Sequence, residues 1–382
     1  MRSTPLQTAV AAAVKRAGGP AAGQTVVVAL SGGADSVALL DALTRLAPGG
    51  GWRVVAAHLD HRLRRGSASD AAFCRRLCRE RGVPLRAGRA DVRARARRDG
   101  GGVEEAARLE RYAFLRRVKE GEGAALIALA HTRDDQAETF LLRLLRGSGR
   151  AGLACMRLRS ADLVRPLLAV GRAEVVAHLR ERGLPWREDP TNADTALRRN
   201  RVRAELLPYL EQRFNPAVRV ALARSAGVLA DETDVLEDLA ARLEARARAG
   251  AAYTLALSRP VLRAAPRALA RLALRRMLAE AGGLRGVTAA HVERLLDLVV
   301  SETPSGRRLP LPGGREAVFH FDEVRLGVRG EVGAPGGDGV AFAVELPVPG
   351  RVALPGGHTL EARAARGPAR TRGDATVVRA PA

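Results

Sequence analysis

Aromatic side chains make up only 3% of this sequence, so its core must be built from Ala, Val and Leu, and few residues are on hand to stack on a nucleobase. Lysine is almost missing. Lys15 and Lys119 are the only two, and neither follows Gly and precedes Ser or Thr, which excludes the Walker nucleotide loop. Cysteine is scarce: Cys74, Cys78 and Cys155 form no CxxC pair, and an odd count makes a poor disulfide framework, so reduced thiols are expected. Long apolar runs are lacking as well. Ala9–Val14 is cut off by Lys15 and Arg16, too short for a signal-peptide core, and nothing approaches the length of a membrane span. A soluble, cytoplasmic protein without a membrane partner is the expectation.

What remains is long, apolar and basic. At 382 residues and 47% hydrophobic the chain can bury more than one core, and two or three domains are expected. Lys and Arg number 63 against 41 Asp and Glu, a net charge of +22 that favours a polyanionic partner such as RNA. The abundance of Arg, Ala, Gly and Pro also fits a GC-rich coding bias, which discounts part of that charge.

From Thr25 to about Ser148, short apolar or β-branched runs alternate with helical periodicity. Strands are predicted at Thr25–Leu30, Trp52–Leu59, Leu85–Ala90 and Ala125–Ala130, and helices at Ser36–Leu46, Ser69–Arg81, Val103–Glu120 and Asp134–Arg146. That alternation predicts an α/β fold with a doubly wound parallel sheet. An Ala/Leu/Arg/Glu stretch after Asn215-Pro216 predicts a helical domain, Leu309–Val328 a hairpin, with Pro312-Gly313-Gly314 as a turn before Glu316–Phe321 and Glu323–Val328, and Gly330–Gly339 a linker. The expected domains are therefore 1–215, 216–329, and a short β-rich segment at 340–382, with strand-like pieces at Ala341–Leu346 and Arg351–Leu354.

The first predicted strand runs straight into Ser31-Gly32-Gly33-Ala34-Asp35-Ser36 and then a helix. Glycines there let backbone N–H groups approach phosphate oxygens, and the helix N-terminus adds a favourable dipole. A carboxylate at Asp35 makes sense beside phosphates when Mg²⁺ lies between them. The bland alternative is an ordinary capped helix after a turn. His58-Leu59-Asp60-His61 at the second strand's end offers nucleotide contacts or plain strand-end hydrogen bonding, and without a fourth ligand makes a poor metal site. Gly147-Ser148-Gly149-Arg150-Ala151-Gly152 matches GxGxxG but follows a helix, so it is no dinucleotide fingerprint. After the fourth strand, Ala130-His131-Thr132-Arg133-Asp134-Asp135-Gln136-Ala137-Glu138 puts Asp135 and Glu138 on one helix face. Near a nucleotide these acids would serve Mg²⁺ or a cationic substrate, and otherwise they are a solvated helix N-terminus.

The SGGADS loop resembles that of PP-loop enzymes, which split ATP into AMP and pyrophosphate. In order and spacing, SGGADS, HLDHRLR, Glu105–Tyr112, AHTRDDQAETFLLRLLRGSGRAGL, Arg165-Pro166-Leu167-Leu168, Trp186–Asn192 and Arg199-Asn200-Arg201-Val202-Arg203 resemble the tRNA(Ile)-lysidine synthase family, densely over 25–215. The resemblance implies that ATP adenylates O2 of the wobble cytidine in the CAU anticodon of tRNA(Ile) and that free L-lysine then attacks C2. It implies further that Ser31, Gly32, Gly33, Ala34, Asp35, Ser36, His58 and His131 bind ATP, with Asp35 on Mg²⁺. Asp135 and Glu138 would hold lysine and act in catalysis with Asp35 and Arg111, while Arg199, Arg201 and Arg203 would contact tRNA or substrate.

Two departures stand out. The family commonly has a second histidine where this chain has Thr132, and full-length members often carry a basic C-terminal domain, whereas this chain ends soon after Arg379, so that portion reads as truncated. A PP-loop tRNA thiolase is the runner-up, although its iron–sulfur versions need CxxC pairs. A small-molecule PP-loop synthetase and a non-catalytic RNA-binding protein are further alternatives, the latter leaving Asp35, Asp135 and Glu138 unexplained.

Overall fold

The computed structural model describes residues 3–63, 66–188, 194–248, 255–302, 305–330, 332, 349–353 and 359–363. The expected strand at Ala341–Leu346, most of the Gly330–Gly339 linker, and Asp189–Asn192 of one quoted motif lie outside these residues. The chain divides into two compact units, Met1–Asp238 and Leu239–Ala382.

The first unit runs α1 (Pro5–Arg16), β1 (Thr25–Ala29), α2 (Ala34–Gly50), β2 (Arg53–Asp60), α3 (Ser67–Glu80), β3 (Leu85–Arg89), α4 (Val92–Asp99), α5 (Val103–Gly121), β4 (Leu126–Ala128) and α6 (Arg133–Leu144). It continues with α7 (Arg150–Leu153), β5 (Arg159–Ser160), β6 (Leu163–Val164), α8 (Arg172–Glu181), α9 (Arg198–Arg201), a π turn at Val202–Leu206, and α10 (Leu207–Arg213). The long α11 (Val218–Ala247) crosses the unit boundary. The sheet order is β3-β2-β1-β4-β6-β5, parallel except for β5. All four predicted strands and all four predicted helices in this stretch form, with ends shifted by a few residues.

The Val-rich β1 owes its place to burial on both faces. Val26 and Val28 pack with Val37, Leu40, Phe73 and Leu179 on one side, while Val27 packs with Tyr112, Leu115 and Ile127 on the other. Because side chains alternate along a strand, a continuous apolar run is what a central strand covered by helices on both sides requires. The helix α1 is fixed by a polar relay. His178 of α8 lies 2.8 Å from Thr4 Oγ1 through Nδ1 and 3.2 Å from Asp41 Oδ2 of α2 through Nε2, and all three residues are buried.

The second unit contains β7 (Ala256–Ser258), α12 (Arg259–Ala264), α13 (Arg267–Glu280), α14 (Ala289–Val300), β8 (Arg308–Leu311), β9 (Arg315–His320), β10 (Glu323–Val328), β11 (Gly350–Ala353) and β12 (Thr359–Ala362). The predicted hairpin is part of a larger antiparallel sheet, ordered β7-β10-β9-β8, over a core of Leu274, Met277, Leu295, Leu296, Phe319 and Val324. Two buried arginines of this unit answer helix-end carbonyls. Arg315 donates to Leu278 O and Gly283 O at 3.1 and 2.8 Å beside the end of α13, and Arg259 to Val299 O and Ser301 O at 3.3 and 2.6 Å at the end of α14. No helix among the described residues is long and apolar enough to cross a membrane.

One glycine in the first sheet is there for space. A Cβ on Gly88 of β3 would come within 2.5 Å of Phe114 Cε2 from α5 and 3.3 Å of Leu59 Cδ1 from β2. Gly88→Ala should therefore cost roughly 1–3 kcal/mol by overpacking. Urea unfolding checks this: the midpoint should fall with an unchanged slope, and Phe114→Leu in the same chain should restore part of it.

Candidate active site

Chain order reverses between β1 and β4, and in open α/β sheets ligands bind at such a point, beyond the C-terminal strand ends. Both predicted motifs lie there. Leaving β1, Gly32 adopts φ +89°, a left-handed conformation open to glycine, and a Cβ at this position would sit 3.3 Å from Cys74 Sγ and Phe73 Cδ1. Ser36 ties the turn to the helix: its Oγ accepts from the N–H of Ser31 (3.2 Å) and Gly32 (3.1 Å) and donates to Gly33 O (2.8 Å). Gly33 is the N-cap of α2 and supplies no capping side chain. The first-turn N–H groups at Ala34, Asp35 and Ser36 are thus left to an anion.

Asp35 stands in that first turn and accepts a hydrogen bond from Arg172 Nη1 at 2.7 Å. Burial raises its carboxyl above the usual range, with Arg172 opposing and the charge of Asp135 adding to the rise. A buried carboxylate beside helix N–H groups that no side chain caps is of the kind that suits Mg²⁺, which commonly takes one or two carboxylates plus substrate phosphates. Arg172, 137 residues away in sequence, is a site residue that the motifs did not flag.

His58, buried at the end of β2, places Nδ1 2.9 Å from the carbonyl of Leu30, the residue before the loop, while its Nε2 is buried without a partner. Asp60 accepts from Arg62 N at 2.9 Å and so supports the left-handed Arg62, φ +52°. Among the described residues no group of His, Cys, Asp or Glu is arranged to hold a metal by itself.

At the end of β4, Thr132 caps α6 in a reciprocal box: Thr132 N–H donates to Asp135 Oδ2 at 2.8 Å and Asp135 N–H to Thr132 Oγ1 at 3.4 Å. The residue standing at the family's second histidine therefore has a local structural role. Asp135 turns its other oxygen to Arg199 Nη2 at 2.8 Å. Glu138, one turn further, has 0% exposure. Its Oε2 accepts from Arg199 Nε (2.8 Å) and Arg203 Nη2 (3.1 Å), and its Oε1 from Arg203 Nε (2.5 Å). These arginines flank the passage from α9 into the π turn, a geometry frequent at functional sites and without a sequence signal here. Arg201 is exposed and is not brought to the carboxylates. Arg111, half-buried on α5, has its guanidinium 5.6 Å from the Tyr112 ring centroid, and burial lowers its pKa.

Residues 5–210 match the PP-loop domain family, and residues 257–325 match the TilS substrate binding domain. The chain is 40% identical over 305 residues to the tRNA(Ile)-lysidine synthase of Thermobifida fusca, covering 79% of this chain and 91% of that protein. The chain belongs to the tRNA(Ile)-lysidine synthase family. Relatives of the same name are 42% identical in Geobacter sulfurreducens (80% of this chain, 66% of that one) and 47% identical in Thermus thermophilus (76% and 54%). The chain thus spans between half and two thirds of the length of those two family members.

His131, between β4 and α6, has a buried Nδ1 without a partner, and burial, opposed by Asp135, pushes its pKa down to about 4. The unfolded imidazole titrates near roughly 6.5, so between these values the unfolded chain binds the extra proton. Stability should fall as pH drops through that window. His131→Gln should flatten that part of the curve, as measured by urea midpoints between pH 7 and pH 4.

Proposed function

We propose that this chain joins free L-lysine to C2 of the wobble cytidine in the CAU anticodon of tRNA(Ile), spending ATP to AMP and pyrophosphate. The observation that carries the reading is the buried Glu138, with Asp135 beside it, at the strand end next to the SGGADS loop: a cation site adjoining a phosphate site.

In the first step cytidine O2 attacks the α-phosphorus of ATP, the new P–O bond replacing the bond to pyrophosphate. In the second, the ε-amine of lysine forms the N–C2 bond, the C2–O2 bond breaks, and AMP leaves. A ring carbonyl is a poor electrophile until its oxygen carries such a leaving group. The Ser31–Ser36 turn and the α2 N-terminus orient the phosphates, and Asp35 would hold Mg²⁺, which when bound neutralises phosphate charge. His58 props the loop through Leu30 O, and His131, neutral at physiological pH, can accept a hydrogen bond or a proton. The attacking amine must lose a proton from an ordinary pKa of roughly 10.4; desolvation favours the neutral amine, while the carboxylates that hold the ammonium oppose its loss, so the amine leaves them as it attacks.

Asp135 and Glu138 carry two negative charges and Arg199 and Arg203 two positive ones, so an incoming ammonium competes with a guanidinium. Arg203 already lies within electrostatic reach of Asp35, so bound phosphates can draw it away and open the carboxylates to lysine. Chemistry is assigned to residues 1–215 and RNA contact mainly to 216–329, with weak contact from arginines of 340–382 such as Arg363. Arg366, Arg370 and Arg372 of the same segment, assigned the same weak contact, lie outside the described residues. A thiolase reading fits less well. Burial pushes the Cys74 and Cys78 thiols up to about 12 and about 11, so neither supplies a thiolate.

Two experiments test this reading. Asp35→Asn should abolish tRNA-dependent AMP release while leaving the melting curve unchanged, and activity retained at saturating Mg²⁺ would overturn the assignment. Asp135→Ala and Glu138→Gln should weaken lysine use more than ATP use, by roughly 2–4 kcal/mol in kcat/KM for lysine. Steady-state kinetics with ATP, lysine and tRNA(Ile) transcript, with lysidine identified by mass spectrometry, gives both numbers.

A further inference from the structure

Some buried cations of the first unit have no counter-charge among the described residues. Arg165, the residue after β6, is 6% exposed; its Nη1 donates to Arg157 O at 2.9 Å, and its Nε is buried with no hydrogen-bond partner. Arg111 has a buried, unpartnered Nε as well. Both guanidiniums lie beside the Tyr112 phenol. Tyr112 is buried, packed with Leu129 and Leu163, and Arg108 lies 5.0 Å from its ring centroid. His131, with its unpartnered Nδ1, lies within electrostatic reach of both Arg111 and Arg165. Neighbouring carboxylates are already engaged: Glu110 by Arg95 at 2.9 Å, and Asp135 and Glu138 by Arg199 and Arg203.

Burying guanidiniums without a counter-ion is costly, and polar atoms left unsatisfied in one place mark a missing partner. The arginines are also graded in exposure, from Arg108 at the surface through half-buried Arg111 to buried Arg165. The geometry points to a phosphate pocket made by Arg165, Arg111 and Tyr112, with Arg108 at its rim, that takes a backbone phosphate of the RNA and so fixes the register of the reactive nucleotide. This rests on the function proposed above.

Phosphate is the fitting chemistry because guanidinium forks and a phenol donor match its oxygens. Two sources could deliver it, the RNA and ATP. The RNA is favoured because the ATP phosphates have the loop after β1, whereas Arg165 follows β6, with β4 between them in the sheet. A cationic path continuing to solvent at Arg108 also suits a polyanion, and backbone contacts are what set register.

The test measures tRNA(Ile) transcript binding without ATP across a salt series, and ATP binding without tRNA, on the full chain. Arg165→Gln should weaken tRNA about ten- to a hundred-fold and lower the salt slope by about one, with ATP affinity unchanged. Tyr112→Phe, which keeps the packed ring, should weaken tRNA by roughly two- to ten-fold. Arg108→Ala, at an exposed position, carries the test if Arg165→Gln does not fold, and it too should lower the slope. Unchanged tRNA affinity in the folded variants would overturn the pocket, and so would a loss confined to ATP, which would give the phosphate to the nucleotide. If the wild-type chain neither binds tRNA nor forms lysidine, the proposed function itself fails; a wild type that does both, matched by its variants, removes only the pocket.

Discussion

A carboxylate with no exposed surface must be matched by cations, and Glu138 imposes that constraint on the first unit. Its two oxygens are held by Arg199 and Arg203, which draws the segment from α9 through the π turn onto α6. Losing one arginine leaves Glu138 the other, and losing Glu138 leaves two part-exposed guanidiniums, so either single loss costs less than breaking a wholly buried pair. The same contact divides Asp135 between two tasks, one oxygen capping α6 with Thr132 and the other held by Arg199. Cap, ion cluster and the end of β4 therefore form one mechanical unit.

That unit lies beside the phosphate loop because of strand order. Placing β4 next to β1 brings residues near 35 and 135 together, and the crossing into α8 adds Arg172. The start of α8 is anchored in turn to α6: Arg133 Nη2 donates to Glu174 Oε2, and Arg172 N–H to Asp134 Oδ2, each at 2.8 Å. Asp35 is thus positioned by two chain segments far apart in sequence. Its raised carboxyl pKa reflects a position where burial outweighs both the hydrogen-bonded Arg172 and the more distant Arg203.

The parts legible in the sequence are those with a local signal. Thr25–Ala29 could be read as a strand from its β-branched run, and the glycine turn after it from composition alone. The shared face of Asp135 and Glu138 followed from their spacing on a predicted helix. Elements without periodicity were out of reach: β6 is only Leu163–Val164, and α4 is dominated by arginines. For α1 a signal existed, since Thr4 and Gln7 form a capping box with Pro5 at the first helical position, the pattern that announces a helix start. The arginine clamp on Glu138 was not legible. The family resemblance makes Arg199 and Arg203 substrate contacts, but nothing in a string of arginines says which will turn inward, and that depends on where the π turn falls.

Arginine's distribution explains more than its number. In a chain whose only lysines are Lys15 and Lys119, arginines do structural work that forked, permanently charged donors do well: part-exposed Arg199 and Arg203 clamp Glu138, and buried Arg315 and Arg259 close the ends of α13 and α14. Those groups meet carboxylates or carbonyls and so say little about an external anion. The net charge of +22 is therefore a loose guide to an RNA surface, because it counts helix-capping arginines equally with open ones. The informative arginines are those with neither a carboxylate nor enough carbonyls. Among the described residues of the first unit, those with a buried, unpartnered nitrogen and no carboxylate are Arg111 and Arg165, gathered around Tyr112.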